Sequence, residues 1–356
     1  MSYRSSGMAR VLAALAFAIA VASNAGVAEL GTEIFHVADV FQEDYEQMEQ
    51  QLKVFVYPDP VVYTKLAGKY ASEGYFFRNL MESRFVTTDP EKAQLFFVPI
   101  SCARLREEGL DHDEISDNVA SFVESVIAKF PYWNRTMGAD HFFVTCHEIG
   151  TRATSKVAHL VKNSIRVVCA SSYSGPFIPH KDVALPQILQ PFPSPRGGDD
   201  TEKRETLGFW AGPANSKTRI LLTKTWQEDS DMVISTKHVG MQQFYRSKFC
   251  ICPSGTRVST ARIVESIHFG CVPVILSDHY DLPFNDVLDW RKFAVILPEQ
   301  DAGTLKDALE LAPYATLHRN LLQAQAHFEW HSPPIKYDTF HMVMYELWLR
   351  HSTVRY

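Results

Sequence analysis

Residues 249–284 read FCICPSGTRVSTARIVESIHFGCVPVILSDHYDLPF. Phe249–Cys252 is a short apolar run suited to a buried strand, and Pro253, Ser254 and Gly255 break it. Ser259 or Thr260 can cap a helix whose apolar residues Ile263 and Ile267 share a side. Gly270 ends that helix and Cys271–Leu276 forms a second buried strand. A βαβ unit of this kind pairs its strands in parallel and places a ligand at their carboxyl ends. The loop and first turn would offer free backbone N–H groups, a positive helix end and two arginines, Arg257 and Arg262, which suits a phosphate. Arg262 and Glu265 are three apart and share a face. A cation beside a carboxylate suggests a ligand with phosphate and hydroxyls, such as a nucleotide. The plain alternative is a helix-surface ion pair.

Working outward, 356 residues exceed one ordinary core, so two α/β domains are expected. A hydrophobic fraction of 46% with 21% charged residues is that of a folded globular protein. A formal charge of −6 without a long basic run gives no support for nucleic-acid binding. The N-terminus differs in composition. Arg4 and Arg10 precede the apolar run Val11–Ala22, and small residues follow at Ala20–Ala22 and Ser23–Ala25. Residues 1–30 read as a secretory signal that is cleaved, or as a short type II anchor with its basic end cytoplasmic. Either route makes Asn134-Arg135-Thr136 a glycosylation sequon and puts six cysteines in an oxidising lumen. The spacings of Cys102, Cys146, Cys169, Cys250, Cys252 and Cys271 match no zinc ribbon, and the chain is too large to need a disulfide framework, so buried free thiols are expected.

Glu29–Gln51 reads as a stem or an initial helix. Strands are expected at Leu52–Tyr57, Gln94–Ile100, His141–Cys146 and Ser164–Ala170, with helices at Tyr63–Arg84 and Asp111–Lys129. Pro191–Asp200, rich in proline and glycine, reads as a linker. A second series then begins: strands Thr206–Ala211, Met232–Ser235, Phe249–Cys252, Cys271–Leu276 and Phe293–Leu297. Its helices are expected before Trp226, at Gln242–Lys248, Leu305–Leu311, Thr316–Trp330 and Tyr337–His351. This divides the chain into 31–200, 201–330 and a final segment 331–356 expected to pack back on the first domain. Two such series suggest two Rossmann-like domains around a cleft.

The central stretch resembles the nucleotide-sugar-binding core of the exostosin-like glycosyltransferases, and most closely their plant members. The matching features are Ser247–Pro253, Gly255, Arg262-x-x-Glu265, Gly270–Ile275 and Leu282-Pro283-Phe284. Upstream, Asp89–Ala93 before Phe96–Pro99, Trp133–Arg135, Gly138–Phe143 and Phe177–Asp182 look like that family's first domain. Roughly Lys53–Leu311 is covered. The resemblance implies a GT-B fold and an inverting transfer from a UDP-sugar to a growing polysaccharide or glycoprotein glycan. It also implies a Golgi membrane of type II topology, with homo- or hetero-complexes among relatives. It places Glu265 on the ribose hydroxyls, Arg219, Arg257 and Arg262 near the diphosphate with Gly255 in the loop, and Ser259 and Thr260 towards the phosphates. Thr256 departs from the animal members, which carry another arginine there. Enzymes of this fold usually meet leaving-group charge with arginines and a helix end, so no cofactor or metal is expected. Asp199-Asp200 and Asp229-Ser230-Asp231 read as solvated loop acids.

An inverting transfer needs a base for the acceptor hydroxyl. His147 and Glu148, after the third strand, are the candidates from the first domain; the alternative is a loop histidine and a helix cap. Arg104 and Tyr173 also follow strands; against roles in holding an acidic acceptor or donor phosphate and in stacking on a sugar, they read as a surface charge and as rim or core packing. The competing reading is a non-catalytic relative supporting an active partner. A dehydrogenase is disfavoured because no Gly-x-Gly-x-x-Gly follows the first strand.

Overall fold

The computed structural model describes residues 31–58, 65–68, 71–146, 148–192, 194–198, 201–255 and 261–353. The signal or anchor read at residues 1–30 therefore lies outside the described residues. Within them, no helix is long and apolar enough to cross a membrane.

Two parallel sheets organise the chain. The first contains β1 (Val54–Val56), β2 (Val86–Thr87), β3 (Leu95–Phe97), β4 (His141–Thr145), β5 (Ile165–Val168) and β6 (Val183–Ala184), in the order β2-β1-β3-β4-β5-β6. The second contains β7 (Thr206–Ala211), β8 (Met232–Ser235), β9 (Ser247–Pro253), β10 (Val272–Leu276) and β11 (Val295–Leu297), in the order β11-β10-β9-β7-β8. Every position of β4 and β10 is buried, as expected for strands covered on both faces. The expected α/β architecture of two Rossmann-like domains of GT-B type is borne out. In both sheets the strand order reverses beside the first strand of the series, between β1 and β3 and between β7 and β9. Crevices at the carboxyl ends of such strands are where doubly wound sheets bind ligands.

Local chemistry sets the elements. Asp111 caps the helix His112–Lys129, accepting from the backbone N–H groups of Asp113 and Glu114 at 2.8 and 2.9 Å, while Glu114 accepts from Asp111 N–H at 2.7 Å. The helix Ala261–His268 buries Ile263 and Ile267, the two residues expected to face the core. Gly270 follows it at φ 66°, and a Cβ there would sit 2.6 Å from Gly198 Cα. The proline- and glycine-rich stretch thus lies packed on the second domain: Gly197 N–H donates to His268 O at 2.9 Å. The expected Thr316–Trp330 helix is Tyr314–Ala324 followed by a 3-10 turn at Gln325–Phe328. Strands β2 and β6, two residues each, are too short to leave a periodic signal.

The segment read as a stem or initial helix is the helix Ala38–Gln51, which buries Phe41, Tyr45 and Met48. Phe41 meets Tyr345 of the last helix, Thr339–Thr353, edge-on at 5.0 Å. That last helix packs on Ala38–Gln51, on the helix Ala71–Glu82 and on β6. Its Arg350 donates to Asp182 O at 3.1 Å and pairs with Asp286 at 2.7 Å.

Four of the six cysteines are paired, Cys146 with Cys169 and Cys250 with Cys271, contrary to the expectation that no framework is needed. Spacing along the chain could not show this, because the pairing follows from the sheets. Thr145 of β4 lies opposite Val168 of β5, which puts the next residues, Cys146 and Cys169, side by side. Cys102 and Cys252 are the buried free thiols. Replacing both Cys250 and Cys271 by serine is expected to lower stability by about 3 kcal/mol on loop-entropy grounds, read as the shift of a denaturant midpoint. An unchanged midpoint would show that the β9–β10 contacts suffice without the bridge.

Burial also shapes the acid limb of stability. His318 and His327 are 3% and 1% exposed, and desolvation pushes both down to about 4. Their unfolded value is about 6.5. Between those values the unfolded chain binds more protons, so their contribution is intact above pH 6.5 and is lost as pH falls towards 4. Glu346, pushed up to about 7 by burial, acts in the opposite direction. His327→Gln isolates the histidine: its stability difference between pH 7 and pH 5, measured by urea unfolding, is expected to be smaller than the parent's.

Candidate functional site

The crevice between β7 and β9 is built by two loops and two helix starts. After β7, Ser216 caps the helix Lys217–Trp226, its Oγ accepting from Arg219 N–H at 3.2 Å. The same hydroxyl donates to Ser254 O at 2.8 Å, fastening this loop to the one after β9. Arg219, in the first turn, donates to Asn215 Oδ1 at 3.0 Å and to Pro253 O at 3.2 Å. A Cβ on Gly255 would lie 3.0 Å from the Arg219 guanidinium, so any larger residue there would press on that side chain.

Arg262 enters from the first turn of Ala261–His268. It donates to Ala211 O at 2.9 Å, and its guanidinium lies 5.1 Å from the Phe244 ring centroid. Glu265 Oε2 is 3.6 Å from Arg262 Nε. Burial, and then the like charge of Arg262, hold the Arg219 guanidinium below its usual value. Two mutually repelling cations beside a pocket make a site of positive potential suited to an anion. That pocket, about 280 Å³, is lined by Gln187, Leu189, Trp210–Pro213, Arg219, Pro253, Ala261, Arg262 and Glu265.

The structure thus brings together four residues expected from the sequence: Arg219, Gly255, Arg262 and Glu265. Arg257, Ser259, Thr260 and His147 lie outside the described residues. Glu148 opens the helix Glu148–Thr154, and its side chain is likewise outside what is described. One turn later, Thr151 lines a second cavity, of about 520 Å³, between the two domains. Its other wall carries Ser216, Lys217, Ser254, Gly255, Asp278, His279 and Glu299, so the cavity adjoins the arginine pocket at Gly255.

Several residues here escaped the sequence reading. The Glu299 carboxylate accepts from Thr218 Oγ1 at 2.8 Å and from Ser254 Oγ at 2.5 Å, joining a helix start to the loop after β9. Its place just after a strand was the signal that could have revealed it. Across the cleft, Tyr173 N–H donates to His279 O at 2.8 Å and Ser171 Oγ to Asp281 O at 2.7 Å. Tyr173 Oη also donates to the Asp281 carboxylate, so this tyrosine joins the domains and is not core. His279 holds φ 55°, a left-handed backbone uncommon outside glycine. Arg104 pairs with Glu108 at 3.3 Å. Asp229 and Asp231 are loop acids, as read, and both pair with Lys306, at 2.9 and 2.6 Å. Among the described residues, no cluster of three or more His, Cys, Asp or Glu side chains is placed to hold a metal ion.

Residues 48–311 match the exostosin GT47 domain. A probable glycosyltransferase of Arabidopsis thaliana is 36% identical over 339 residues, which cover 89% of this chain and 65% of that protein. A second from the same plant is 35% identical, covering 91% of this chain and 73% of its own length. A probable beta-1,4-xylosyltransferase, also of Arabidopsis thaliana, is 29% identical over 83% of this chain and 80% of its own length. A probable glucuronosyltransferase of Oryza sativa is 30% identical over 74% of this chain and 71% of its own length. With two doubly wound sheets, a cationic crevice at one switch point and these relatives, the chain belongs to the exostosin GT47 family.

Proposed function

We propose that the protein is an inverting glycosyltransferase that moves a sugar from a UDP-sugar to a growing glycan, in cell-wall polysaccharide synthesis. The observation that carries this reading is the pair of neighbouring guanidiniums, Arg219 and Arg262, at the carboxyl ends of β7 and β9 with Glu265 beside them. In the reaction the acceptor hydroxyl oxygen attacks the anomeric carbon as the bond from that carbon to the diphosphate oxygen breaks. The diphosphate leaves with growing negative charge, which fixed guanidiniums stabilise more as the bond lengthens. Arg257, Ser259 and Thr260 belong to the same reading of the phosphate loop. Glu265 accepts the ribose hydroxyls. The acceptor occupies the interdomain cavity, and its proton passes to a base on the first domain, with His147 and Glu148 as the assigned candidates.

The wider reading places the enzyme in the Golgi membrane through its N-terminal segment, with its catalytic domains lumenal, in homo- or hetero-complexes with related transferases. It requires no metal, which EDTA-insensitive turnover would support. The xylosyl- and glucuronosyltransferase names of the relatives favour those two sugars for the first donor screen. The test is UDP titration of the purified lumenal chain, followed by UDP release from a panel of UDP-sugars. No measurable UDP affinity would overturn the enzyme reading. UDP binding without turnover of any donor would favour a non-catalytic subunit.

A further inference from the structure

A third cavity, about 200 Å³, opens beside the arginine pocket and shares Leu189, Ala261 and Glu265 with it. Its remaining walls are Ile188, Gln190, Phe192, Met241 and Phe269, so it is an apolar slot with one amide at its rim. The arginine pocket adjoins both of the other cavities. The interdomain cavity, rich in serine and charged side chains, touches the arginine pocket through Gly255 and Arg219. The apolar slot meets the same pocket at Leu189, Ala261 and Glu265 and shares no lining residue with the interdomain cavity.

That order has a chemical reading. A nucleoside diphosphate sugar is polar at its transferred sugar, anionic in the middle, and ends in ribose and a flat apolar heterocycle. Only one orientation matches: sugar in the polar cavity, phosphates at Arg219 and Arg262, ribose at Glu265 and heterocycle in the slot. The slot is smaller than the ~300–1,000 Å³ typical of drug-sized ligands, which suits a single ring.

The outer wall of the slot comes from the other domain. Ser72, fully buried in the helix Ala71–Glu82, donates through Oγ to Pro186 O at 3.1 Å and accepts from Ile188 N–H at 2.9 Å. Gly68 N–H donates to Leu189 O at 2.6 Å. Residues 186–189 are therefore a strap fastened to the first domain and laid over a pocket of the second. Leu189 is 43% exposed and Met241 38%, so neither is held in the core.

We propose that this strap, with Met241, is the specificity wall for the nucleobase of the donor: Leu189 and Met241 contact the ring and the Gln190 amide reads its polar edge. The proposal rests on the donor reading above, and it adds that the nucleoside end is gripped by both domains at once.

The experiment titrates the full chain and the variants Leu189→Ala, Gln190→Ala and Met241→Trp with UDP and, separately, with inorganic pyrophosphate. Met241→Trp fills the slot and is expected to weaken UDP at least about tenfold; Leu189→Ala and Gln190→Ala should weaken it several-fold to about tenfold. Pyrophosphate, which has no base, should stay within about twofold for Gln190→Ala and Met241→Trp, whose side chains line only the slot. Equal weakening of both ligands, or unchanged UDP affinity in every variant while the parent binds UDP, would overturn the proposal. A parent chain that binds neither ligand would overturn the donor reading itself, which is a distinguishable result. Leu189→Ala changes an exposed side chain, so the test does not depend on a variant that disturbs the core.

Discussion

Glu265→Ala is expected to cut turnover of the UDP-sugar by about a hundredfold or more while leaving the fold intact. A site built to hydrogen-bond hydroxyl groups loses far more when the partner is removed than an apolar contact would. If Glu265 holds both ribose hydroxyls, its loss frees the nucleoside and lets the diphosphate shift against Arg262. Stability should hardly change. In the free protein Glu265 meets Arg262 at 3.6 Å with both side chains partly exposed, at 32% and 26%, an arrangement worth about 0–1 kcal/mol. The measurement is kcat/KM with UDP release as readout, alongside the thermal midpoint. A folded variant with parental turnover would remove Glu265 from the site and leave the ion pair as a surface contact. Arg262→Ala is the less informative change, because Arg262 also donates to Ala211 O and lies over Phe244.

The central βαβ unit was legible because its signals are local. The run Phe249–Cys252, the break at Gly255 and the Ile263 and Ile267 pair each lie within a few residues. Arg262 and Glu265 were legible for the same reason, since three residues apart on a helix is a local geometry. What the chain hid depends on distant partners. Glu299 lies 45 residues beyond Ser254, and only the sheet brings them together. The disulfides follow from strand neighbours β4–β5 and β9–β10, which a list of spacings does not reveal. The proline- and glycine-rich stretch looked like a free linker by composition, yet a Cβ on Gly197 would run into the Phe269 carbonyl, and Gly198, at φ 140°, has the Leu322 side chain where a Cβ would sit. Tyr173 fell in the same class: its partner, Asp281, lies 108 residues away in the other domain.

The largest loss of stability is expected from Asp182→Ala. This carboxylate is fully buried and accepts from Arg166 N–H at 3.2 Å, Arg166 Nε at 3.0 Å and Ile178 N–H at 2.9 Å. Arg166 Nη2 and Lys181 Nζ also donate to it. Arg166 is itself only 5% exposed, and burial pushes the Lys181 amine down from its ordinary value. Removing the carboxylate strands a buried guanidinium, which costs about 3–5 kcal/mol. At ~2–4 °C per kcal/mol for a domain of this size, the thermal midpoint should fall by about 10 °C. The damage is also placed to reach the site. Asp182 braces β5 against β6, and Arg166, Val168 and Ala170 form the first-domain wall of the interdomain cavity. Turnover measured well below the midpoint should therefore fall as well, through acceptor KM more than through UDP affinity. The double variant Arg166→Met with Asp182→Leu separates charge from packing. If the stranded guanidinium is the cause, removing both charges should recover most of the lost stability, because a well-packed apolar pair often equals a buried ion pair. A double variant as unstable as Asp182→Ala would assign the loss instead to the backbone bond from Ile178 and the turn it closes.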